Sequence, residues 1–358
     1  MFKQKKDGKL MRKNASVKYF KLTAALIAAL LLLFHDAPLR PLSAADGGGE
    51  CTLAGAAGYF AMEGGCIVLK NRDRNTRFVQ SLDFVKEDGG YFFIGVKNIS
   101  AAEKDRLAYT MGINEKGLIC VSSSPPNKIN FNFRGRKYEV YHPGMILSKI
   151  ATVDEFVEMV LKAGKIGSAM NYIVADSKKM CLVEAVDEIH YDYKIVVNGT
   201  VCQTNHYHME KMLKYQGMPL NPSSANRLAR AKELVIGSGK TVSVSDFMAA
   251  AADHGRAAEY NDLNICRHPD SDYGSKKFDG GTISSMILVS RPGEPPHAYV
   301  AIGQPCTAGY ERLSIINGAC AVNPLKKVLY NSGAANMAAD FTRDAYYHFI
   351  MPFVRNHQ

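Results

Sequence analysis

The feature that most constrains this sequence is a pair of short apolar strands joined by a glycine-containing turn, with a cysteine at the open end. The first strand begins at Cys51, directly after the glycine-rich stretch Asp46–Glu50. The chain turns at Glu63-Gly64-Gly65 and returns through Cys66–Leu69 toward Asp73. In an antiparallel hairpin, residues equidistant from the turn face each other. The sequence therefore predicts that Cys51 lies beside Asp73 or its neighbours.

Cleavage between Glu50 and Cys51 would give this cysteine a special chemistry. The new chain end would carry a thiol and a free amine on one residue. An α-amine has a reference pKa of about 8, so it can accept the thiol proton at neutral pH. Asp73 would orient the ammonium or the thiol. By itself, a cysteine is more often buried or disulfide-bonded, so this prediction depends on the residues around it.

The first 50 residues have the layout of an export signal. Eight lysines and arginines lie from Lys3 to Lys21, and the next thirteen residues, Leu22–Phe34, carry no charge. A bilayer span takes roughly twenty apolar residues, so this stretch fits a signal peptide better. Ser43-Ala44-Ala45 supplies small residues for signal peptidase. The alternative is an uncleaved membrane anchor.

This layout divides the chain into a signal peptide at 1–45, a short propeptide at 46–50 and a folded domain at 51–358. No internal repeat or low-complexity linker follows residue 50, which favours one domain. We predict export to the periplasm or the cell exterior, with membrane contact only through the N-terminal segment.

The distribution of charge argues against a nucleic-acid partner. The formal net charge is +10, but the first 50 residues hold nine Lys and Arg against four Asp and Glu, which is half of the excess. After residue 50, no basic run contains interleaved aromatic residues. Hydrophobic residues make up 47% of the sequence and charged residues 22%, as in an ordinary globular protein.

The spacing of cysteines and histidines gives little support for a metal site. None of the eight cysteines forms a Cys-x-x-Cys pair. His206 and His208 lie two apart, but without an acidic partner at a suitable spacing, so we predict a role beside the site or on the surface. We predict no metal and no organic cofactor. Export permits disulfides, whose pairing the sequence leaves open.

The rest of the chain alternates blocks of strands and helices. Predicted strands are Tyr91–Lys97, Leu118–Val121, Tyr172–Ala175, Met180–Ala185, Lys194–Val197, Thr200–Gln203, Thr282–Ser290 and Ala298–Ile302. Thr152 and Glu155 form a capping box before an apolar helix face at 153–161. Further helices are predicted at Ser224–Ile236 and from Ser245 to about His254. This order predicts an α+β fold, in which helices cover antiparallel sheets.

A candidate oxyanion donor follows the strand Thr200–Gln203. Attack of a thiolate on an amide produces an oxyanion, which requires fixed hydrogen-bond donors in a water-poor site. Asn205 comes directly after the strand, where its side-chain amide would be held rigidly. By itself, an asparagine in this place is more often a turn residue.

The ordered motifs resemble those of choloylglycine hydrolases and penicillin acyltransferases. The shared motifs are Cys51-Thr52, Asn71-Arg72-Asp73, Gly112-Ile113-Asn114-Glu115-Lys116-Gly117-Leu118 and Thr204-Asn205-His206. Those similar to the penicillin acyltransferase branch are Asp253-His254, Ile265-Cys266-Arg267-His268-Pro269, Thr282-Ile283-Ser284-Ser285 and Gly303-Gln304-Pro305-Cys306. Each motif alone is weakly specific, whereas the ordered set covers most of the chain after residue 50.

The resemblance implies a fold, a maturation step and a reaction. The fold would be the four-layer αββα sandwich of N-terminal-nucleophile hydrolases, with two antiparallel sheets covered by helices. The chain would cleave itself and then attack the non-peptide amide bond of a small N-acyl amide or other acyl donor. Water would release an acid, or an amine would take the acyl group. The resemblance leaves open whether the protein forms a homo-oligomer.

The resemblance also assigns roles to residues. Cys51 would be the nucleophile, Asp73 the carboxylate that positions it, and Asn205 the oxyanion donor. Arg227, in Ser223-Ser224-Ala225-Asn226-Arg227, resembles the arginine that such enzymes place near the nucleophile. The alternative for Arg227 is a solvated helix arginine.

Three positions depart from the pattern of these families. Lys70 stands where bile-salt hydrolases usually have arginine, and Ser122-Ser123-Ser124-Pro125 stands where they have an asparagine. These two changes bear on the second oxyanion contact and on bile-salt specificity. The bond to be cleaved would be Glu50–Cys51 rather than Gly–Cys, so proteases could replace self-cleavage.

Two other functions stay open from the sequence. A papain-like cysteine hydrolase would use His206 or His254 as its base and would need no new chain end. A membrane-tethered binding protein would keep the fold without catalysis and would retain the prefix.

Overall fold

The computed structural model describes residues 50–75, 80–98, 109–126, 141–166, 169–217, 220–237, 239–255, 263–268 and 280–320. These residues belong to one compact unit, Gly48–Gln358. No helix among them has both the length and the apolar character needed to span a bilayer. The predicted signal peptide and the propeptide up to residue 49 lie outside the described residues, so the division of the chain at residues 45 and 50 stays a prediction.

The described residues form two antiparallel sheets of seven strands each. The first sheet has the order β10 (Gly199–Gln203), β1 (Cys51–Ala57), β2 (Cys66–Asn75), β11 (Gly280–Ser290), β12 (His297–Ile302), β13 (Glu311–Ile316) and β14 (Ala319–Cys320). The second sheet follows chain order, with β3 (Gln80–Val85), β4 (Phe93–Asn98), β5 (Tyr109–Asn114), β6 (Ile119–Ser123), β7 (Met170–Ala175), β8 (Met180–Ala185) and β9 (Tyr191–Val196).

The described part of the chain also contains five α-helices. They are α1 (Pro143–Lys149), α2 (Val153–Phe156), α3 (Pro222–Val235), α4 (Val244–Ala251) and α5 (Pro305–Ala308). The helix α2 continues as wider π-helical turns at Val157–Leu161, and 3₁₀ turns lie at Gly58–Phe60 and Glu210–Tyr215.

Three apolar cores separate four layers. Between the sheets, Leu53 of β1 belongs to the same core as Ile113 of β5. Phe156 of α2 packs on the outer face of the second sheet. Leu228 of α3 and Phe247 of α4 pack on the outer face of the first sheet. The predicted αββα arrangement is confirmed.

The predicted hairpin of β1 and β2 is also confirmed. Glu63, Gly64 and Gly65 all have positive φ values, which the tight reversal requires. A Cβ at position 65 would overlap the carbonyl oxygen of Ser290, so glycine is needed there. The turn therefore fixes which residues of β1 and β2 face each other.

The predicted cap of α2 is present in part. The Thr152 hydroxyl accepts a hydrogen bond from Glu155 N at 3.1 Å. A capping box also needs a hydrogen bond from Thr152 N to the Glu155 carboxylate. Here the carboxylate accepts from Ala151 N at 2.7 Å instead, one residue earlier in the chain.

The helix α4 differs most from its prediction. Its cap is Ser243, which forms a capping box with Asp246, and the helix ends at Ala251. The prediction that it continues to about His254 is wrong. The chain leaves the helix because the Asp253 carbonyl accepts a hydrogen bond from Cys266 N at 2.9 Å, in a separate segment of the chain.

Candidate active site

Cys51 lies at the open end of the hairpin. It pairs with Arg72 on β2, and the next backbone group, Asp73 N, donates to the Glu50 carbonyl oxygen at 2.8 Å. The Cys51 side chain belongs to the core between the two sheets and is 6% exposed. The predicted position of Cys51 beside Asp73 or its neighbours is confirmed.

The strand β10 brings Asn205 opposite Cys51 on the other side. Leu53 pairs with Gln203, so the antiparallel register places Asn205, two residues further on, level with Cys51. Cys51 N donates to Asn205 Oδ1 at 2.7 Å, and Asn205 Nδ2 donates to the Ser124 carbonyl oxygen at 3.1 Å. The amide oxygen thus holds the nitrogen that cleavage would convert into an α-amine. The oxyanion contact stays a prediction.

Buried hydrogen bonds fix the segment Thr204-Asn205-His206. Asn171 Nδ2 donates to the carbonyl oxygens of Thr204 and His206, and Ser224 Oγ accepts from Asn205 N. His206 Nδ1 lies 2.8 Å from Ser224 Oγ, and burial lowers the pKa of His206 to about 4. His206 is therefore neutral near pH 7 and helps to position this segment. His208 Nδ1 lies 2.7 Å from the buried carboxylate of Glu184.

Helix α3 brings Arg227 into the site. Its side chain is fully buried, so the alternative of a solvated helix arginine is wrong. Nη1 donates to the Cys51 carbonyl oxygen at 2.6 Å and to Thr52 Oγ1 at 3.0 Å. Nη2 donates to Asn205 Oδ1 at 3.1 Å. Arg227 thus ties the helix both to the start of β1 and to the end of β10.

Glu50 is the anionic partner of two buried guanidinium groups. Its Oε2 lies 3.2 Å from Arg227 Nη2 and 2.6 Å from Arg267 Nη1. Asn221 Nδ2 and Ser223 Oγ donate to the same carboxylate. Burial raises the pKa of Glu50, but the two arginines and these hydrogen bonds outweigh burial and leave the pKa below its ordinary value. Glu50 is therefore held as a carboxylate beside the bond that would be cleaved.

Asp73 lies on the far side of Arg267. Thr282 Oγ1 donates to Asp73 Oδ1 at 2.7 Å, and Arg267 Nη1 lies 3.9 Å from Asp73 Oδ2. Burial raises the pKa of Asp73, against the opposing effect of Arg267 and Arg227. Arg267 N also donates to Thr282 Oγ1, so one threonine holds both residues.

A family model matches this chain over more than half of its length. The model describes acyl-coenzyme A:6-aminopenicillanic acid acyl-transferase and matches residues 61–260. The chain belongs to this acyl-transferase family. No curated protein matches the chain.

Solved structures of two enzymes resemble this family member. Penicillin V acylase from Agrobacterium tumefaciens has a TM-score of 0.50 at 12% sequence identity, covering 74% of this chain and 86% of that chain. A variant of conjugated bile acid hydrolase from Clostridium perfringens has a TM-score of 0.48 at 15% identity, covering 76% of this chain and 99% of that chain. The match to the acylase agrees with the αββα fold.

In this acyl-transferase family member, Lys70 lies on β2 opposite Leu53, and its ammonium group contacts backbone carbonyl groups. Nζ donates to the carbonyl oxygens of Thr110 and Ser122, and the side chain is 1% exposed. Burial lowers the pKa of Lys70 to about 8, although Cys51 acts to raise it. The serine segment at the end of β6 therefore supplies backbone acceptors. The Ser122 carbonyl oxygen accepts from Lys70, and the Ser124 carbonyl oxygen accepts from Asn205.

Two asparagines of the ordered motifs are structural. Asn114 accepts from Lys116 N and Leu118 N within its own turn, and its Nδ2 donates to the carbonyl oxygens of Leu147 and Ile150. Asn71 Nδ2 donates to the carbonyl oxygens of Ala251 and Ile265. These contacts attach helices and loops to the two sheets.

The structure thus brings together all four predicted site residues, Cys51, Asp73, Asn205 and Arg227. Sequence reasoning quoted Arg267 within a motif without a role, and it missed the Glu50 carboxylate as a member of the site. It also missed a group of four side chains that could hold a metal, His254, Cys266, His268 and Cys306. The two histidines considered as ligands, His206 and His208, contact Ser224 and Glu184 instead.

Proposed function

We propose that this family member is an N-terminal-nucleophile cysteine enzyme that hydrolyses or transfers the acyl group of a small, non-peptide amide. One observation carries the proposal: the backbone nitrogen of Cys51 lies 2.7 Å from Asn205 Oδ1, in a buried site that also holds Arg227. The names acyl-transferase and penicillin V acylase, carried by the family and by a solved relative, support an acyl substrate.

Cleavage of the Glu50–Cys51 bond is the first step of the proposal. The Cys51 thiolate attacks the Glu50 carbonyl carbon, whose oxygen accepts a hydrogen bond from Asp73 N. The C–N bond breaks, the nitrogen takes the thiol proton, and Glu50 is held as a thioester on Cys51. Water then hydrolyses the thioester, which leaves a free thiol and a free α-amine on Cys51. Because Asp73 N is already in place as a donor, this site supports self-cleavage over trimming by another protease.

The same groups then act on the substrate. The α-amine takes the Cys51 thiol proton, and the thiolate attacks the amide carbonyl to form an acyl-enzyme. Asn205 holds the α-amine through Oδ1, and its Nδ2 is the candidate oxyanion donor. The departing amine takes the proton. Water or a second amine then accepts the acyl group from the Cys51 sulfur.

Removal of Glu50 also gives the site a preference for substrates with a negative charge. Arg227 and Arg267 are buried, and loss of Glu50 leaves Asp73 to balance both guanidinium groups, so one buried positive charge lacks a partner. A substrate carboxylate near the scissile amide can take the place of the Glu50 carboxylate. We therefore propose N-acyl amino acids or similar carboxylate-bearing amides over neutral amides.

The proposed cellular location is outside the cytoplasm, either the periplasm or the cell exterior. It rests on the basic and apolar pattern of residues 1–45. The proposal differs from the papain-like alternative because it needs no histidine as the base. Of the two candidate bases of that alternative, His206 lies against Ser224 and His254 lies against His268.

The N-terminal sequence of the mature protein, measured together with turnover, tests the proposal. We expect a chain that starts at Cys51 and hydrolyses at least one of penicillin V, a conjugated bile salt or an N-acyl amino acid. Cys51→Ser should retain some cleavage but lose most turnover, whereas Cys320→Ser, in the short strand β14, should change neither. An active protein whose N-terminus lies well upstream of Cys51, or unchanged turnover in Cys51→Ser, would overturn it.

A further inference from the structure

Four side chains with metal-ligand atoms lie close together on the outer side of the first sheet. They are His254, Cys266, His268 and Cys306, and one ligand atom from each lies within 4.8 Å of all the others. His268 Nε2 is 3.1 Å from His254 Nε2, 3.8 Å from Cys266 Sγ and 3.3 Å from Cys306 Sγ. None of the four has a part in the proposed reaction.

The three distances from His268 Nε2 are close to those between ligand atoms of a tetrahedral zinc site. Zinc binds sulfur at about 2.3 Å and imidazole nitrogen at about 2.0 Å, so a tetrahedral ion keeps its donor atoms roughly 3.3–3.8 Å apart. Two cysteines with two histidines form one of the usual donor sets of structural zinc. The softness of thiolate and imidazole also disfavours calcium and magnesium, which prefer oxygen.

The site is assembled from three segments that are distant in sequence. His254 follows α4, Cys266 and His268 come from residues 263–268, and Cys306 lies in α5. The first two segments are already joined by the hydrogen bond from Cys266 N to the Asp253 carbonyl oxygen. Asn71 of β2 donates to backbone carbonyls of both segments, at Ala251 and Ile265.

A second set of contacts holds the His254 segment against α3. The Asp253 carboxylate accepts two hydrogen bonds from Arg230 of α3, at 3.0 Å and 2.7 Å, and a third from Gly255 N. The backbone on both sides of His254 is therefore fixed by groups outside the cluster. Such preorganisation favours binding of a metal ion by an already folded protein.

We propose that His254, Cys266, His268 and Cys306 bind one zinc ion as a Cys₂His₂ site. All four positions are filled by protein ligands, which leaves no coordination position for water or substrate, so the site is structural rather than catalytic. This proposal departs from the expectation of no metal that the cysteine spacing gave.

The position of Arg267 gives the zinc site a consequence for the reaction centre. Arg267 lies between two of the ligands in sequence, and its Nη1 contacts the Glu50 carboxylate at 2.6 Å. Zinc bound to Cys266 and His268 holds the backbone on both sides of Arg267. The ion therefore positions this guanidinium beside Glu50 and Asp73 without contacting substrate.

A disulfide between Cys266 and Cys306 is the competing outcome. It would consume both thiols and leave the two histidines without a metal. The two states differ in measurable ways, because the disulfide lowers the chain mass by two hydrogen atoms and excludes zinc.

Metal analysis of the whole chain tests the proposal. The protein is produced with zinc in the medium, dialysed against metal-free buffer and analysed by mass spectrometry for elemental zinc. We expect about one zinc per wild-type chain, and at least about a fivefold lower content in Cys306→Ser and His268→Ala. Cys320→Ser, whose cysteine lies outside the cluster, should keep the wild-type content. Wild-type protein without zinc, equal zinc in all variants, or a Cys266–Cys306 disulfide in the isolated protein would each overturn the proposal.

Cobalt substitution of the wild-type chain avoids dependence on the folding of any variant. Zinc is removed with a chelator and replaced with Co²⁺. Two thiolate ligands in a tetrahedral site should give sulfur-to-cobalt charge-transfer absorption and intense visible bands. A spectrum of octahedral cobalt without the charge-transfer absorption would contradict the proposed ligands.

Discussion

The carboxylate of Glu50 lies 2.6 Å from Arg267 Nη1, although the two residues are separated by most of the folded chain. Glu50 immediately precedes the candidate nucleophile, so the uncleaved chain supplies its own anion to the two arginines of the site. The same contact must be broken when Glu50 leaves. The chain before cleavage therefore has an ion pair that the chain beginning at Cys51 lacks.

Glu50→Gln should destabilise the uncleaved chain. Without the Glu50 carboxylate, Asp73 is left to balance both Arg227 and Arg267, and an uncompensated buried charge costs roughly 3 kcal/mol. The comparison is made in a Cys51→Ala background, which keeps the bond intact. We expect the free energy of unfolding, measured with urea, to be lower for the double variant than for Cys51→Ala alone.

The pH dependence and the mature protein provide controls for this prediction. Because the pKa of Glu50 is lowered in the folded state, its stabilisation is present above the ordinary glutamate pKa, about 4.3, and is lost as the pH falls through the folded-state pKa. The difference in free energy of unfolding between the double variant and Cys51→Ala should therefore become smaller at acidic pH. Mature chains starting at Cys51 should have equal stability whichever residue preceded the cut. Equal stability of the two uncleaved chains at pH 7 would contradict the prediction.

Local pairing explains why much of the fold and part of the site follow from the sequence. The turn at Glu63-Gly64-Gly65 sets the register of the hairpin, and that register places Cys51 beside Arg72 and Asp73. A strand ending at Gln203 similarly brings Asn205 to the reaction centre once it pairs with β1. The sequence predicts the strand but not its neighbour, so the contact from Asn205 to Cys51 required the structure.

The parts that sequence reasoning missed depend on segments that meet only in the fold. Arg267 reaches the site because Thr282 of β11 holds its backbone, a contact between segments separated by residues 269–279. The cluster of His254 and Cys306 combines positions with no Cys-x-x-Cys spacing, the pattern by which zinc sites are found in sequences. The propeptide prediction gives the Glu50 carboxylate no role, because nothing local in the sequence marks the two buried arginines as its partners.

Asn205→Asp separates the two roles of the Asn205 side chain. Aspartate keeps an oxygen that accepts from Cys51 N but loses the Nδ2 donor, and its charge is offset by nearby Arg227. If Nδ2 stabilises the oxyanion, the variant loses about 10²–10³-fold in kcat. We expect this loss in steady-state kinetics, with the N-terminus still at Cys51. Cleaved Asn205→Asp with nearly unchanged kcat would show that only the oxygen matters.

Arg227→Lys should reduce turnover although the charge is kept. The two Nη groups of the Arg227 guanidinium donate to the Cys51 carbonyl oxygen and to Asn205 Oδ1 at the same time, and a lysine ammonium cannot reproduce this geometry. Losing one charge-assisted hydrogen bond corresponds to about a 10- to 100-fold decrease in kcat/KM. Arg312→Lys, at an exposed position of β13, is the matched control and should retain the wild-type value. Similar kinetics for the two variants would contradict the role given to Arg227.

Lys70 should make stability depend on pH in the alkaline range. Its folded-state pKa is lowered to about 8 by burial, whereas an unfolded lysine titrates at about 10.4. Between these values the unfolded chain binds more protons than the folded chain, so the free energy of unfolding contributed by Lys70 rises with pH. Burial of the charged form costs most below pH 8, and deprotonation relieves this cost.

Urea unfolding of the wild type and of Lys70→Met at pH 7.5 and pH 9.5 measures this effect. Methionine does not titrate, and it lacks the hydrogen bonds to Thr110 and Ser122 at both pH values. A change with pH in the difference between the two free energies of unfolding therefore reports the loss of the Lys70 proton. We expect the wild type to gain stability relative to Lys70→Met as the pH rises. Lys70→Arg is the control, because its guanidinium stays charged throughout and its difference from Lys70→Met should remain constant. A constant difference between the wild type and Lys70→Met would mean that the buried lysine keeps its proton above pH 9.5, stabilised by the two carbonyl oxygens.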